Sequence, residues 1–150
     1  MRDVDTEPLE PFGLLVRART SLHPSSIHPE RLHRWLAVHR VVVMRGFTAM
    51  PTVDMARFCA TLGEPMQWSF GLVNELHVED DTENYLYTRA AVPLHWDGAF
   101  VGRIPHYIFF QCIEAPAPGA GGETLFCDTP LVLERAPAAL RRRWSATELT

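Results

Sequence analysis

From Gly63 to about Phe126, the chain is built of short apolar runs, three to seven residues long, parted by proline, glycine and acidic turns. Such a succession is the pattern of a sandwich or barrel of short strands. It predicts strands over residues 68–70, 72–78, 84–88, 94–96, 107–113 and 124–126. Before Gly63 the period is different. Ser26 is a fitting N-cap, Pro29 stands in the first turn, and Leu32, Trp35, Leu36 and His39 recur at helical spacing, so a helix is expected to end near His39. A buried strand over 41–44 follows. A second helix is expected from Thr52 to Leu62, with Met55, Phe58, Cys59 and Leu62 on one stripe; Gly63 and Pro65 stop it. Residues 1–25 read as an irregular lead-in with one short strand near Phe12 to Val16, and residues 130–144 as a helix broken at Pro137. No repeat, low-complexity tract or linker divides the chain, so residues 1–150 are read as a single domain.

Size and composition bound the function. A globule of 150 residues buries roughly 68–70% of the surface its unfolded chain exposes, and 47% hydrophobic with 21% charged residues is ordinary for a soluble domain. The apolar runs fall far short of the roughly 20 residues a bilayer demands, so no membrane partner is expected. The acidic N-terminus has neither the basic start nor the apolar run of a secretory signal. Cys59, Cys112 and Cys127 are odd in number and widely spaced in apolar surroundings, which fits reduced thiols and a cytoplasmic location. A net charge of −4 argues against a nucleic-acid partner. Arg141-Arg142-Arg143 is then a solvated helix face.

The chemistry concentrates in His95-Trp96-Asp97. An imidazole and a carboxylate two residues apart project from the same face of an extended chain. They supply two of the three protein ligands of a 2-His-1-carboxylate facial triad, which holds non-heme Fe(II) and leaves positions open for a cosubstrate and O₂. Taken alone, the triplet reads more readily as a chance pair on a half-buried strand. The glycines at 121 and 122 do not form a phosphate loop, since neither Gly-x-Gly-x-x-Gly nor a Gly-Lys-Ser/Thr ending is present. The His-x-His of a cupin is also absent.

The surroundings of the triplet change its meaning. Pro93-Leu94-His95-Trp96-Asp97-Gly98 is followed by Tyr107-Ile108-Phe109-Phe110-Gln111-Cys112-Ile113, the turn Ala115-Pro116-Ala117-Pro118-Gly119-Ala120, and Gly121-Gly122-Glu123-Thr124-Leu125-Phe126-Cys127-Asp128-Thr129. Upstream stand Arg40-Val41-Val42-Val43-Met44-Arg45-Gly46-Phe47 and Phe58-Cys59-Ala60-Thr61-Leu62-Gly63-Glu64-Pro65. In this order, over about residues 35–145, the chain resembles the taurine dioxygenase-like (TauD/TfdA) family of Fe(II)/2-oxoglutarate-dependent oxygenases. Asn84-Tyr85-Leu86-Tyr87, the His-x-Asp segment and Ile108-Phe109-Phe110-Gln111-Cys112 are similar to enzymes of isonitrile and related secondary-metabolite pathways.

The resemblance implies a mainly β fold with flanking helices, a double-stranded β-helix or jelly roll, here incomplete at its C-terminal side. It implies Fe(II), 2-oxoglutarate and O₂ as cofactor and cosubstrates. His95 and Asp97 would be metal ligands and catalytic residues, with Trp96 turned into packing, and Thr124 would touch the distal carboxylate of 2-oxoglutarate. Related halogenases replace the carboxylate ligand by a small residue; Asp97 therefore points to oxygen chemistry, namely hydroxylation, desaturation or oxidative cleavage of a small carboxylate or amino-acid-derived substrate. The family places its second histidine ligand and its 2-oxoglutarate-binding arginine far downstream. His106 is the sole histidine after Asp97, and both it and His77 fall where the family shows no ligand. The chain is thus read as the N-terminal part of an oxygenase domain, inactive by itself and associating with a C-terminal half or with a second copy. The competing reading is a catalytically silent β-rich module that acts by self-association or partner binding.

Overall fold

The computed structural model of the protein describes residues 3–79, 81–83, 87–98 and 102–148. Three strands form one mixed sheet in the order β1-β2-β3: β1 (Val4–Pro8), β2 (Leu14–Leu22) and β3 (Val42–Phe47). β1 runs antiparallel to β2, placing Thr6 opposite Val16, while β3 runs parallel to β2, placing Val16 opposite Met44. Parallel neighbours need a crossover. It is made by a 3₁₀ turn, Pro24–Ser26, and by α1 (Pro29–His39). The β2–β3 register slips between Arg17 and Leu22. Gly46 lies opposite that slip with φ of 76°, and a Cβ there would sit 3.3 Å from the Ala18 carbonyl oxygen, so glycine fits the irregularity.

The core forms where the sheet meets the helices. Val4, Leu14, Val16, Ile27, Leu32, Met50 and Phe58 are buried together, and Val16 and Ile27 are fully enclosed. Leu32 comes from α1 and Phe58 from α2 (Thr52–Leu62), whose bounds are those the apolar stripe predicts. A hydrogen bond of 2.9 Å joins His33 Nε2 to the Leu62 carbonyl and ties α1 to the end of α2. Since a carbonyl only accepts, the imidazole donates there.

Several expectations are corrected at this level. The cap of α1 is His28, with Pro29 as first helical residue; Ser26 belongs to the preceding 3₁₀ turn. The strand expected near Phe12 to Val16 is the longer β2, and β1 is an additional strand. The larger correction concerns residues 68–126. Of the six strands expected there, none forms a ladder among the described residues, apart from an isolated bridge between Trp68 and Gly71. Residues 84–86 of the third lie outside the described residues. The described residues thus hold a small mixed sheet with helices rather than the ladders of a jelly roll. The physical reason is that β-propensity measures how well side chains fit a pleated, half-buried surface, and a ladder forms only when a partner backbone is in reach.

At the C-terminal side the broken helix is found as expected. α3 (Thr129–Arg135) and α4 (Ala138–Ser145) are separated at Ala136-Pro137. Asp128 caps α3, its Oδ1 accepting from the Leu131 N–H at 3.2 Å. Its other oxygen lies 3.3 Å from Arg40 Nε at the end of α1, and this buried carboxylate therefore pins α3 to the N-terminal scaffold.

Candidate functional site

His95 lies in irregular chain just after a bend at Leu94, and Asp97 in a turn, rather than in a strand. They nonetheless come side by side: His95 Nε2 is 3.8 Å from Asp97 Oδ1, and both side chains are about half exposed. The other imidazole nitrogen is committed. His95 Nδ1 lies 2.8 Å from the Pro93 carbonyl oxygen, which can only accept, so the neutral ring carries its proton on Nδ1 and presents the Nε2 lone pair toward Asp97. An outer hydrogen bond of this kind is how a metal-ligating histidine is held in the correct tautomer.

Gly98 sets the turn after the carboxylate. Its φ is 87°, and a Cβ would fall 2.6 Å from the Arg103 carbonyl oxygen, so any side chain here meets both an unfavourable conformation and a backbone collision. The backbone at Arg103 comes back close to this glycine, and residues 107–111 touch the scaffold. Tyr107 stacks on His33 with ring centroids 5.4 Å apart, and Phe109 meets the Phe58 ring edge-on at 5.6 Å. The Gln111 amide makes a two-pronged contact with Met50, accepting from its N–H at 2.7 Å and donating to its carbonyl at 2.8 Å.

Thr124 is exposed, in the stretch leading to Asp128. An open, mostly apolar groove of about 660 Å³ brings its neighbourhood to that of the His-x-Asp segment: Leu94, next to His95, and Leu125, next to Thr124, both line it, together with Phe126, Leu131 and Trp144. Trp96, expected in packing, is 54% exposed. His77 is engaged by Glu79, Nε2 to Oε1 at 3.0 Å, and leans on Tyr87; His106 meets Tyr107 edge-on.

The donor set fits a ferrous ion in part. Two ligands bound cis at about 2.0–2.2 Å stand roughly 3 Å apart, so His95 and Asp97 need to close by less than an ångström. Among the described residues no third histidine, cysteine or carboxylate joins them. Sequence reasoning missed the Pro93 carbonyl and the Gln111–Met50 contact. The first is a backbone atom and leaves no mark in residue identity; the second joins positions 61 residues apart. Gly98, by contrast, carried a signal, being a glycine directly after a proposed ligand.

Residues 5–150 match the family model "Taurine catabolism dioxygenase TauD, TfdA family". Among characterised proteins, the 3-((Z)-2-isocyanoethenyl)-1H-indole synthase of Fischerella ambigua is 41% identical over 145 residues, covering 95% of this chain and 52% of that protein. The tyrosine isonitrile desaturase of Erwinia amylovora is 35% identical, covering 89% and 47% respectively. Among solved structures, that of PvcB, described as an Fe, alpha-ketoglutarate dependent oxygenase from an isonitrile synthetic pathway, superposes with a TM-score of 0.78 at 32% identity, over 95% of this chain and 55% of that one. The chain spans about half the length of the relatives it matches. These relatives belong to the isonitrile branch that the motif comparison indicated, and with the family model matching nearly the whole sequence, the chain belongs to the TauD/TfdA family of dioxygenases.

Proposed function

We propose that His95 and Asp97 are two ligands of a non-heme iron centre in a 2-oxoglutarate-dependent oxygenase whose substrate is an isonitrile derived from an aromatic amino acid. The observation that carries this is local: Nε2 of His95 faces Asp97 Oδ1 at 3.8 Å, while Nδ1 is tied to the Pro93 carbonyl. Relatives named for an isonitrile-bearing indole and for tyrosine isonitrile supply the substrate class, and the family supplies Fe(II), 2-oxoglutarate and O₂. When bound, the metal provides the site at which O₂ is reduced as 2-oxoglutarate is cleaved to succinate and CO₂.

The chain's own residues do the holding and orienting. His95 offers a neutral nitrogen of fixed tautomer, and Asp97 offers negative charge that offsets part of the metal's. Gly98, directly after Asp97, takes a φ of 87° and lets the backbone at Arg103 approach closely, which a side chain there would block. Thr124 is the donor to the far carboxylate of 2-oxoglutarate, on a segment that shares the groove with Leu94. The third metal ligand and the cationic partner of 2-oxoglutarate come from polypeptide equivalent to the part of the relatives that this chain does not match, and the 150-residue chain alone turns over no 2-oxoglutarate. The jelly roll of the resemblance is then a property of the completed domain.

The test uses the chain completed with that polypeptide. Succinate should form in proportion to O₂ consumed, and Asp97→Ala should reduce it at least a hundredfold while Fe(II) affinity falls in parallel. Turnover that continues without 2-oxoglutarate would refute the cosubstrate, and full activity of Asp97→Ala would refute the ligand.

A further inference from the structure

His33, on α1, is engaged both at its edge and on its face. At the edge, its Nε2–H donates to the Leu62 carbonyl at 2.9 Å. Leu62 is the last residue of α2, so this is one of the carbonyls that a helix end leaves without an intrahelical partner. On the face lies Tyr107, with ring centroids 5.4 Å apart and planes 12° from parallel. The hydrogen bond constrains the plane of the imidazole, and that plane constrains the phenol ring. Phenylalanine would offer the face without the donor, and glutamine the donor without the face.

Tyr107 belongs to a segment that reaches the His-x-Asp pair within a few residues. Residues 103–105 lie against Gly98, where an added Cβ would come 2.6 Å from the Arg103 carbonyl oxygen, 3.2 Å from the Ile104 Cα and 3.1 Å from the Pro105 Cδ. Gly98 directly follows Asp97. The backbone behind the carboxylate therefore rests on residues 103–105, and Tyr107 with His33 fixes where those residues stand. A second tie joins Arg103 to Glu64, just beyond α2, but at 3.6 Å and with both side chains exposed it is weak and screened by salt. The stack on His33 is the firmer hold. Placement matters here because His95 Nε2 and Asp97 Oδ1 stand 3.8 Å apart, and a functional site tolerates a misplacement of only about 0.5 Å.

We propose that His33 is a positioning residue for the metal ligand Asp97, acting through Tyr107 and the backbone of residues 103–105 packed on Gly98. This rests on the oxygenase reading above, since the placement of Asp97 matters to iron only if Asp97 is a ligand.

The test uses the chain completed with polypeptide equivalent to the unmatched part of the relatives. Anaerobic Fe(II) binding is measured by equilibrium dialysis with 2-oxoglutarate present, and thermal unfolding is followed alongside. His33→Ala and Tyr107→Leu should each weaken Fe(II) binding on the order of tenfold, the low end of what loss of an outer-shell partner causes. The double variant should lose no more than either single one, because both interrupt one path. Tyr107→Phe keeps the stacked ring and should bind Fe(II) within about twofold of the parent. Leu32→Val, a core change on the same helix, should lower the unfolding midpoint and leave Fe(II) affinity unchanged. The proposal is overturned by losses that add in the double variant, or by a loss of Fe(II) affinity in Leu32→Val as large as that in His33→Ala. If His33→Ala does not fold, Tyr107→Leu against Tyr107→Phe decides, and equal affinities overturn it. Iron binding that Asp97→Ala leaves unchanged would refute the oxygenase reading and this proposal with it, whereas binding that needs Asp97 but ignores both His33 and Tyr107 would overturn the proposal alone.

Discussion

Residues 3–62 and residues 63–148 are both rich in apolar side chains, but only the first region encloses them. Among the described residues, the buried hydrophobics are Val4, Leu14, Leu15, Val16, Ile27, Leu32, Met50 and Phe58, all in the first region. Of the twenty exposed large hydrophobics among the described residues, the first region holds Val38 and Val53 and the second holds the other eighteen. The difference lies in where partners come from. β1, β2 and β3 find one another within 47 residues of chain, and α1 fills the crossover between the last two. The second region leans on the first through a few contacts, chiefly Gln111 to Met50, Phe109 to Phe58 and Asp128 to Arg40, and leaves its remaining apolar faces uncovered. A region of this kind is held in place by its neighbours rather than by a core of its own.

The sharpest way to break the comparison is to truncate one isoleucine in each region. Ile27 is fully enclosed, so Ile27→Ala should cost roughly 2–5 kcal/mol, the range for removing a buried aliphatic side chain and leaving a cavity. Ile108 is half exposed, and Ile108→Ala should change stability by about 0.5 kcal/mol or less. Denaturant unfolding of the two variants measures both. Equal losses would mean that the second region has a core of its own.

The same division explains what could be read from the residues. Thr52–Leu62 was legible to the residue because its stripe and its stop at Gly63 are local, and the break at Pro137 was legible because a proline acts on the turn that contains it. β1 was not. Val-Asp-Thr-Glu-Pro has a single aliphatic side chain and an acidic composition, and it pairs because β2 offers an antiparallel edge. Among the described residues, the strands expected over 68–126 form no ladder for the opposite reason: their apolar content was plain, but their ladder partners were not in reach. At the site, the type and spacing of His95 and Asp97 were enough to bring them together, even with no strand under them. The tautomer fixed by the Pro93 carbonyl was beyond reach, since every residue has a carbonyl.

A smaller effect tests how firmly the second region is tied to the first. The Asp128 carboxylate is buried, caps α3 and faces the Arg40 guanidinium. Asp128→Ala removes both links and should cost roughly 1–3 kcal/mol, a cap of about 1 kcal/mol plus a partly buried charge-assisted contact. Arg40→Ala should cost less, because the Leu131 N–H still satisfies one carboxylate oxygen and Arg40 itself is half exposed. A double-mutant cycle on unfolding free energies separates the two contributions. Additive losses would show that the pair does not couple the regions.

The smallest expected effect distinguishes the regions by the chemistry of their thiols. Cys59, on the scaffold helix α2, is partly buried, and desolvation pushes its pKa above the ordinary thiol value of 9.0. Cys112 and Cys127, in the second region, are exposed. Since the thiolate is the reactive form, mild alkylation of the folded chain should label Cys112 and Cys127 first and Cys59 last, as read by mass spectrometry of the digested protein. The linkage has a definite sign. As pH rises through 9.0, the unfolded chain loses the Cys59 proton before the folded one does, so the unfolded state binds fewer protons and stability falls with increasing pH in that window. Cys59→Ala should flatten that part of the pH profile, and a profile as steep as that of the parent chain would show that burial of Cys59 is not what raises its pKa.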